Sequence, residues 1–176
     1  MKILSNVEAT TFRALENGDV FLAPASGGSV ICMKIDTKDE ETSYPEVLDL
    51  TAEEYPEIIS ADRVRGPVVK LSNMVFLAGT QKEDFLFNKQ DNRVRSPGSV
   101  FLVGKDTFLC VVGAGELYYV DIKTGKCLNS GSFQQGVAHQ PLVIMPRWKV
   151  VERIGDKEVL WINYEGQADK AEGKAA

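Results

Sequence analysis

Apolar residues along this chain come in short runs, each closed by glycine, proline or a polar cluster, which is the pattern of β-strands joined by tight turns. Val20-Phe21-Leu22 and Val30–Ile35 flank Ser26-Gly27-Gly28-Ser29 and predict a hairpin with a glycine-rich loop. Val100-Phe101-Leu102 and Phe108–Val112 flank the shorter turn Gly104-Lys105-Asp106 and predict a second. Tyr118–Ile122, the turn Lys123-Thr124-Gly125-Lys126 and Cys127-Leu128 predict a third. The β-branched runs Val68-Val69-Lys70-Leu71 and Lys149-Val150-Val151 suit closing strands. One helix signal is present: Thr51-Ala52-Glu53-Glu54-Tyr55 begins like a capping box and is stopped by Pro56, which leaves room for about one turn.

The strand pattern occurs twice. Gly18, Val20, Phe21, Leu22 and Cys32 match Gly98, Val100, Phe101, Leu102 and Cys110, with two extra residues in the first hairpin. Val47-Leu48-Asp49-Leu50 matches Tyr119-Val120-Asp121-Ile122. Arg65–Leu71 is aligned with Arg147–Arg153, and Met74-Val75-Phe76-Leu77 with Val159-Leu160-Trp161-Ile162. The expectation is an all-β fold of two tandem SH3-like small barrels arising by internal duplication, or the same two copies packed as one pseudo-symmetric unit. Residues 1–77 form the first β-barrel module, 78–92 a connector, 93–165 the second module and 166–176 a disordered tail. A single copy is too small to bury enough surface alone, so the copies are expected to pack together.

The stretch Thr11-Phe12-Arg13-Ala14-Leu15-Glu16-Asn17-Gly18-Asp19-Val20-Phe21, followed by Val30–Ile35, resembles the F-x-x-L-x-x-G-D-x-F pattern of small phage and prophage β-barrel proteins of unassigned function. Gly98-Ser99-Val100-Phe101 and Val120-Asp121-Ile122-Lys123-Thr124-Gly125 carry the resemblance into the second copy. That copy departs from the pattern at Arg93-Val94-Arg95-Ser96-Pro97. The resemblance implies a small β-barrel and brings no catalytic residues. The same positions also have a purely physical reading, in which Phe12, Leu15, Val20 and Phe21 are core and Gly18 gives the tight turn into the strand.

Composition narrows the picture. With 44% hydrophobic and 26% charged residues the chain is an ordinary folding sequence rather than a disordered one. No apolar run reaches the length of a membrane helix, and the run near the N-terminus is too short for a signal peptide, so a cytoplasmic protein with no membrane contact is expected. Three cysteines without paired spacing read as small buried hydrophobes rather than disulfides or metal ligands. The acidity is local: residues 36–57 hold nine acids and one base, a charge of −8 against −5 for the whole chain, which leaves the rest at +3.

Chemistry is sparse. The only histidine is His139, in a glycine- and glutamine-containing loop. Gly104-Lys105-Asp106-Thr107 lacks the spacing and helix of a phosphate loop, and Gly113-Ala114-Gly115 lacks those of a dinucleotide fingerprint. No catalytic residue, metal site or cofactor is assigned, and no enzyme is expected. The leading expectation is an interaction protein that binds another protein or itself through barrel edges and loops. The first alternative is a sponge or inhibitor for a nucleotide-like ligand, bound at the seam of the two copies near Arg93, Arg95, Gln135 and His139. A virion component, or a single-strand nucleic-acid binder using Arg147, Trp148 and Tyr118, is the second. Nucleic acid is disfavoured by a pI near 5.0 and the acidic segment.

Overall fold

The structure is a computed structural model that describes residues 7–25, 28–37, 46–79, 97–137, 140 and 142–165. The connector and the tail lie outside the described residues, apart from Ala78 and Gly79. The fold is all-β, in open sheets. In the first half β1 (Val7–Thr10), β2 (Val20–Ala25), β3 (Gly28–Ile35), β4 (Glu46–Asp49), β5 (Glu57–Ser60) and β6 (Val68–Leu71) pair in the order β1-β6-β2-β3-β4-β5. In the second half β8 (Val100–Val103), β9 (Asp106–Gly113), β10 (Glu116–Asp121), β11 (Cys127–Asn129) and β12 (Leu142–Met145) pair in the order β12-β8-β9-β10-β11. A separate three-stranded sheet has the order β14-β13-β7, built from β7 (Met74–Ala78), β13 (Trp148–Ile154) and β14 (Lys157–Tyr164).

The two halves use the same pairings. Phe21 lies between Cys32 and Lys70 on its neighbouring strands, as Phe101 lies between Phe108 and Ile144. Gly18 N–H donates to the Lys34 carbonyl at 2.7 Å, and Gly98 N–H donates to the Cys110 carbonyl at 2.7 Å. The turn after β4 is held by the Asp49 carboxylate accepting from Thr51 N–H, and the turn after β10 by Asp121 accepting from Lys123 N–H, both at 2.8 Å. The match of Val47–Leu50 to Tyr119–Ile122 therefore coincides with equivalent hydrogen bonding.

Other sequence matches shift. By register the position equivalent to Cys110 is Lys34, not Cys32, so the first hairpin is four residues longer rather than two. The strand equivalent to β6 is β12, because β6 pairs with β2 as β12 pairs with β8; Lys149–Val151 belongs to β13 instead. Met74 begins β7 two residues after β6, as Trp148 begins β13 two residues after β12, so β14 is not the counterpart of β7.

Helix placement also differs from expectation. Thr51–Tyr55 is not helical; the Thr51 hydroxyl and N–H both donate to the Asp49 carboxylate, which folds the chain into a local turn after β4 instead. The helix α1 is Ser130–Val137, which begins where the Asn129 side chain accepts from Ser132 N–H at 2.7 Å. Its Phe133 is fully buried and stacks on Tyr119, with ring centroids 3.8 Å apart and planes inclined by 3°.

One core joins the halves. Ile31, Met33, Ile35, Leu48, Leu50 and Leu71 pack in a single cluster with Val100, Leu109, Val111, Val120, Trp148 and Val150. Each half also has a satellite cluster on the other side of its sheet, around Phe21, Cys32 and Val47 in the first and Phe101, Cys110, Tyr119 and Phe133 in the second. Two reciprocal parallel contacts hold the halves in register. The end of β3 meets the start of β11, with Asp36 N–H donating to the Gly125 carbonyl at 2.8 Å and Cys127 N–H donating to the Asp36 carbonyl at 2.9 Å. The end of β9 meets the start of β5 in the same sense, through Val112 and Glu57, with Val112 N–H donating to the Pro56 carbonyl at 3.4 Å.

The first contact requires glycine at two places. Gly125, at φ +70°, sits so close to the Gly18 turn that a Cβ would lie 2.4 Å from Gly18 N and 2.7 Å from the Lys34 carbonyl oxygen. Both obstacles are backbone and cannot rotate away. Gly125→Ala is expected to cost roughly 3 kcal/mol or more, from the left-handed backbone penalty plus overpacking. Gly155→Ala, at φ +60° with nothing within 4 Å, should cost only about 1 kcal/mol. Urea unfolding followed by tryptophan fluorescence checks the difference between the two variants.

Candidate functional site

Where the halves meet, a cavity of about 340 Å³ opens between β4–β5 and the β9–β10 turn. It is lined by Glu46, Ile58, Ser60 and Asp62 from the first half and by Ala114 and Tyr118 from the second. The β9–β10 turn reaches it with Ala114 in a left-handed conformation at φ 49°. Burial pulls the Glu46 carboxyl above its ordinary range. Among the described residues the lining holds two carboxylates and no cation, a combination whose field repels phosphate. A seam cavity is present, and its described lining is acidic.

The described candidate binding residues read from sequence are scattered. Arg93, Arg95 and His139 lie outside the described residues. Gln135 is exposed on α1, and Arg147 is half-buried between β12 and β13. Tyr118 is half-buried and lines the seam cavity. Its neighbour Tyr119 points to the other face of β10, where it meets Phe133 of α1, so Tyr118 and Gln135 are on opposite sides of the sheet.

Trp148 is a core residue, 2% exposed. Its ring is stacked between Phe76, at 4.6 Å, and Tyr164, at 4.9 Å. Its indole N–H donates to the Gly98 carbonyl at 2.7 Å. A tryptophan covered on both faces has no surface left on which to stack a base. The Tyr164 hydroxyl is pushed up to about 12 by burial, then by the nearby Cys110.

None of the three cysteines is in a disulfide, and all three are buried. Burial pushes the Cys32 thiol up to about 12, with the Asp49 charge adding to the effect. Burial also pushes Cys110 up to about 12, against the opposing hydrogen bond with Tyr119. Among the described residues no three His, Cys, Asp or Glu side chains converge as metal ligands, and no helix is long and apolar enough to cross a membrane.

The surface feature that sequence reading left undistinguished is β14. It is an edge strand among the described residues, paired only with β13, and it carries Val159 at 44% and Leu160 at 57% exposure. The register slips between Val150 and Val151, so Leu160 lies opposite Val151 and Ile162 opposite Val150, with Trp161 between them. Trp161 turns inward to donate to the buried Glu152 carboxylate at 3.2 Å. Its apolar Val-Leu-Trp-Ile run gave no hint of this, because a bulge changes which residues face out without changing the sequence pattern.

No protein-family model, curated protein or solved structure matches the chain.

Thiols held protonated and out of contact with solvent should be inert. At pH 8 the native protein is expected to show negligible labelling of Cys32 and Cys110 by a disulfide-exchange reagent, with full labelling in denaturant. Rapid native labelling of either, mapped by mass spectrometry, would contradict the burial described.

Proposed function

We propose that the chain is two copies of one small SH3-like unit packed as a single pseudo-symmetric body. In this reading it acts as a non-catalytic interaction protein, of the phage and prophage kind that its Phe12-to-Phe21 pattern resembles, and associates with a second copy of itself through β14. Strand order supports the SH3-like reading. β6 pairs with β2 as β12 pairs with β8, β2–β5 and β8–β11 each form a meander, and a short helix sits between β5 and β6 and between β11 and β12. That helix is the 3₁₀ turn Ala61–Arg63 in the first half and α1 in the second. Each begins at a side-chain cap, from Ser60 and from Asn129.

Pseudo-symmetry is supported by the pairing of β7 with β13. Met74 lies opposite Glu152 and Trp148 opposite Ala78, so exchanging the halves maps the ladder onto itself. An antiparallel strand pair thus already serves as the contact between units, and β14 offers the same kind of edge to another molecule.

The observation that carries self-association is the exposure of Val159 and Leu160 on an eight-residue strand with one side unpaired among the described residues. Antiparallel apposition of two β14 strands about a twofold axis, with Leu160 opposite the second copy's Leu160, sets Val159 opposite its Trp161, Glu158 opposite its Ile162 and Lys157 opposite its Asn163. Like charges do not meet. Four half-exposed aliphatic side chains contribute about 4 kcal/mol gross, and the new ladder hydrogen bonds about 1 kcal/mol each. Association itself costs about 4–15 kcal/mol, so the expected dimer is weak, with a dissociation constant in the micromolar range or above.

Light scattering coupled to size exclusion, run over a wide concentration range, tests this. A mass that rises toward a dimer with concentration, and stays monomeric in Leu160→Glu, is the expected result. A strict monomer at the highest concentration, or a dimer that Leu160→Glu leaves intact, would rule out this edge as the interface.

A further inference from the structure

A second concavity, on the first half and away from β14, has opposite chemistry to the seam. About 850 Å³ in volume, it is lined by Phe12 and Arg13 from the turn before β2, Lys34 from β3, and Asp62, Val64 and Arg65 from the segment between β5 and β6. Three cations and one carboxylate face it, in a chain whose net charge is −5.

The groove exists because the halves differ in one connector. In the second half twelve residues, 130–141, join β11 to β12, and their helix drives Phe133 onto Tyr119. In the first half the join from β5 to β6 has seven residues, 61–67, forming a single 3₁₀ turn. Val47 occupies the register position of Tyr119, and the turn contributes Ala61 and Val64 to the satellite core where the helix contributes Phe133. Less side-chain volume covers the sheet, and the surface stays open above Lys34. Lys34 itself holds the position that Cys110 fills in the second half.

None of the three cations is neutralised by a carboxylate among the described residues. Lys34 Nζ donates to the Leu15 carbonyl and stands 5.3 Å from the centre of the Phe12 ring. Arg65 Nε donates to the Asp62 backbone carbonyl at 3.4 Å, which leaves the remaining guanidinium donors available. Arg13 is exposed at the rim. A carbonyl or a ring face does not cancel a charge, so the field in the groove is positive despite Asp62.

We propose that this groove binds the di- or triphosphate group of a small molecule, with Arg13 and Arg65 as anchors and Lys34 at the floor. Guanidinium groups match phosphate oxygens in a forked, two-bond geometry. A polyphosphate supplies enough oxygens to engage three separated cations at once, which a single carboxylate does not. Phe12 and Val64 give the groove an apolar wall against which a nucleoside can lie. The site is independent of self-association through β14.

Titration calorimetry of the full chain with pyrophosphate, ATP and adenosine tests the proposal. Pyrophosphate and ATP should bind and adenosine should not. Arg13→Gln and Arg65→Gln should each weaken phosphate binding about tenfold, the loss expected for one charge-assisted contact. Both positions are exposed, so the variants should unfold at the wild-type temperature. Arg153→Gln, exposed and paired with Glu158, should leave affinity unchanged and thereby exclude a general charge effect. ATP binding more tightly than pyrophosphate would assign the ligand as a nucleotide; equal affinities would assign it as free polyphosphate. Absence of binding by both phosphate compounds, or full retention of binding in the Arg13→Gln/Arg65→Gln double variant, would overturn the proposal.

Discussion

The architecture depends on a reciprocal clasp between the halves, in which the end of β3 receives the start of β11 and the end of β9 receives the start of β5. Asp36 against Lys126 and Val112 against Glu57 are both parallel contacts, each only a residue or two long. Hydrogen bonds so few contribute only a few kcal/mol net. Their effect is positional: they align two sheet faces so that Ile31, Met33, Leu48, Val100, Leu109 and Val120 become one core. Burial of that shared apolar surface is the larger stabilising effect. The clasp demands a backbone-to-backbone approach at Gly18 and Gly125 that any side chain would block.

Once the halves are aligned, each has freedom on its outer face. The second half closes its satellite core with an aromatic cluster in which Phe101, Tyr119 and Phe133 meet within 6 Å of one another. The first half has smaller residues at comparable positions and a shorter connector, and its outer face is correspondingly open and basic. One arrangement of strands thus yields a sealed face and a receptive one. The separate β7–β13–β14 sheet anchors itself through the Phe76–Trp148–Tyr164 stack, while its edge strand, paired only with β13 among the described residues, presents Val159 and Leu160. The buried seam, the basic groove and the apolar edge are three chemically distinct surfaces. Only the last two have the character of contact sites, since the seam cavity combines small size with two carboxylates.

The strands around Val20, Val30, Val47, Val68, Val100, Leu109 and Tyr118 were legible because alternating apolar runs between glycines have few other solutions. The correspondence of Asp49 with Asp121 was legible too, because a carboxylate bonding the N–H two residues on is a local device. The Cys32–Cys110 match misled. Identical residues two pleats apart look aligned in sequence, and only the ladder reveals that Cys110 shares its place with Lys34. α1 was hidden because Ser-Gly-Ser-Phe-Gln-Gln-Gly-Val has poor intrinsic propensity, and the helix is stabilised by Phe133 packing on a tyrosine brought from another strand.

Sequence alone determined the class of structure, the positions of most strands and turns, the burial of the cysteines and the concentration of acid in one segment, since each follows from local pattern and composition. Tertiary structure alone decided that Trp148 is interior, that the seam is acidic, and that Arg13, Lys34 and Arg65 converge on one groove. The physical reason is separation along the chain: those three cations come from three elements whose approach is set by strand register and by the length of one connector. Neither quantity is written in the residues that line the groove.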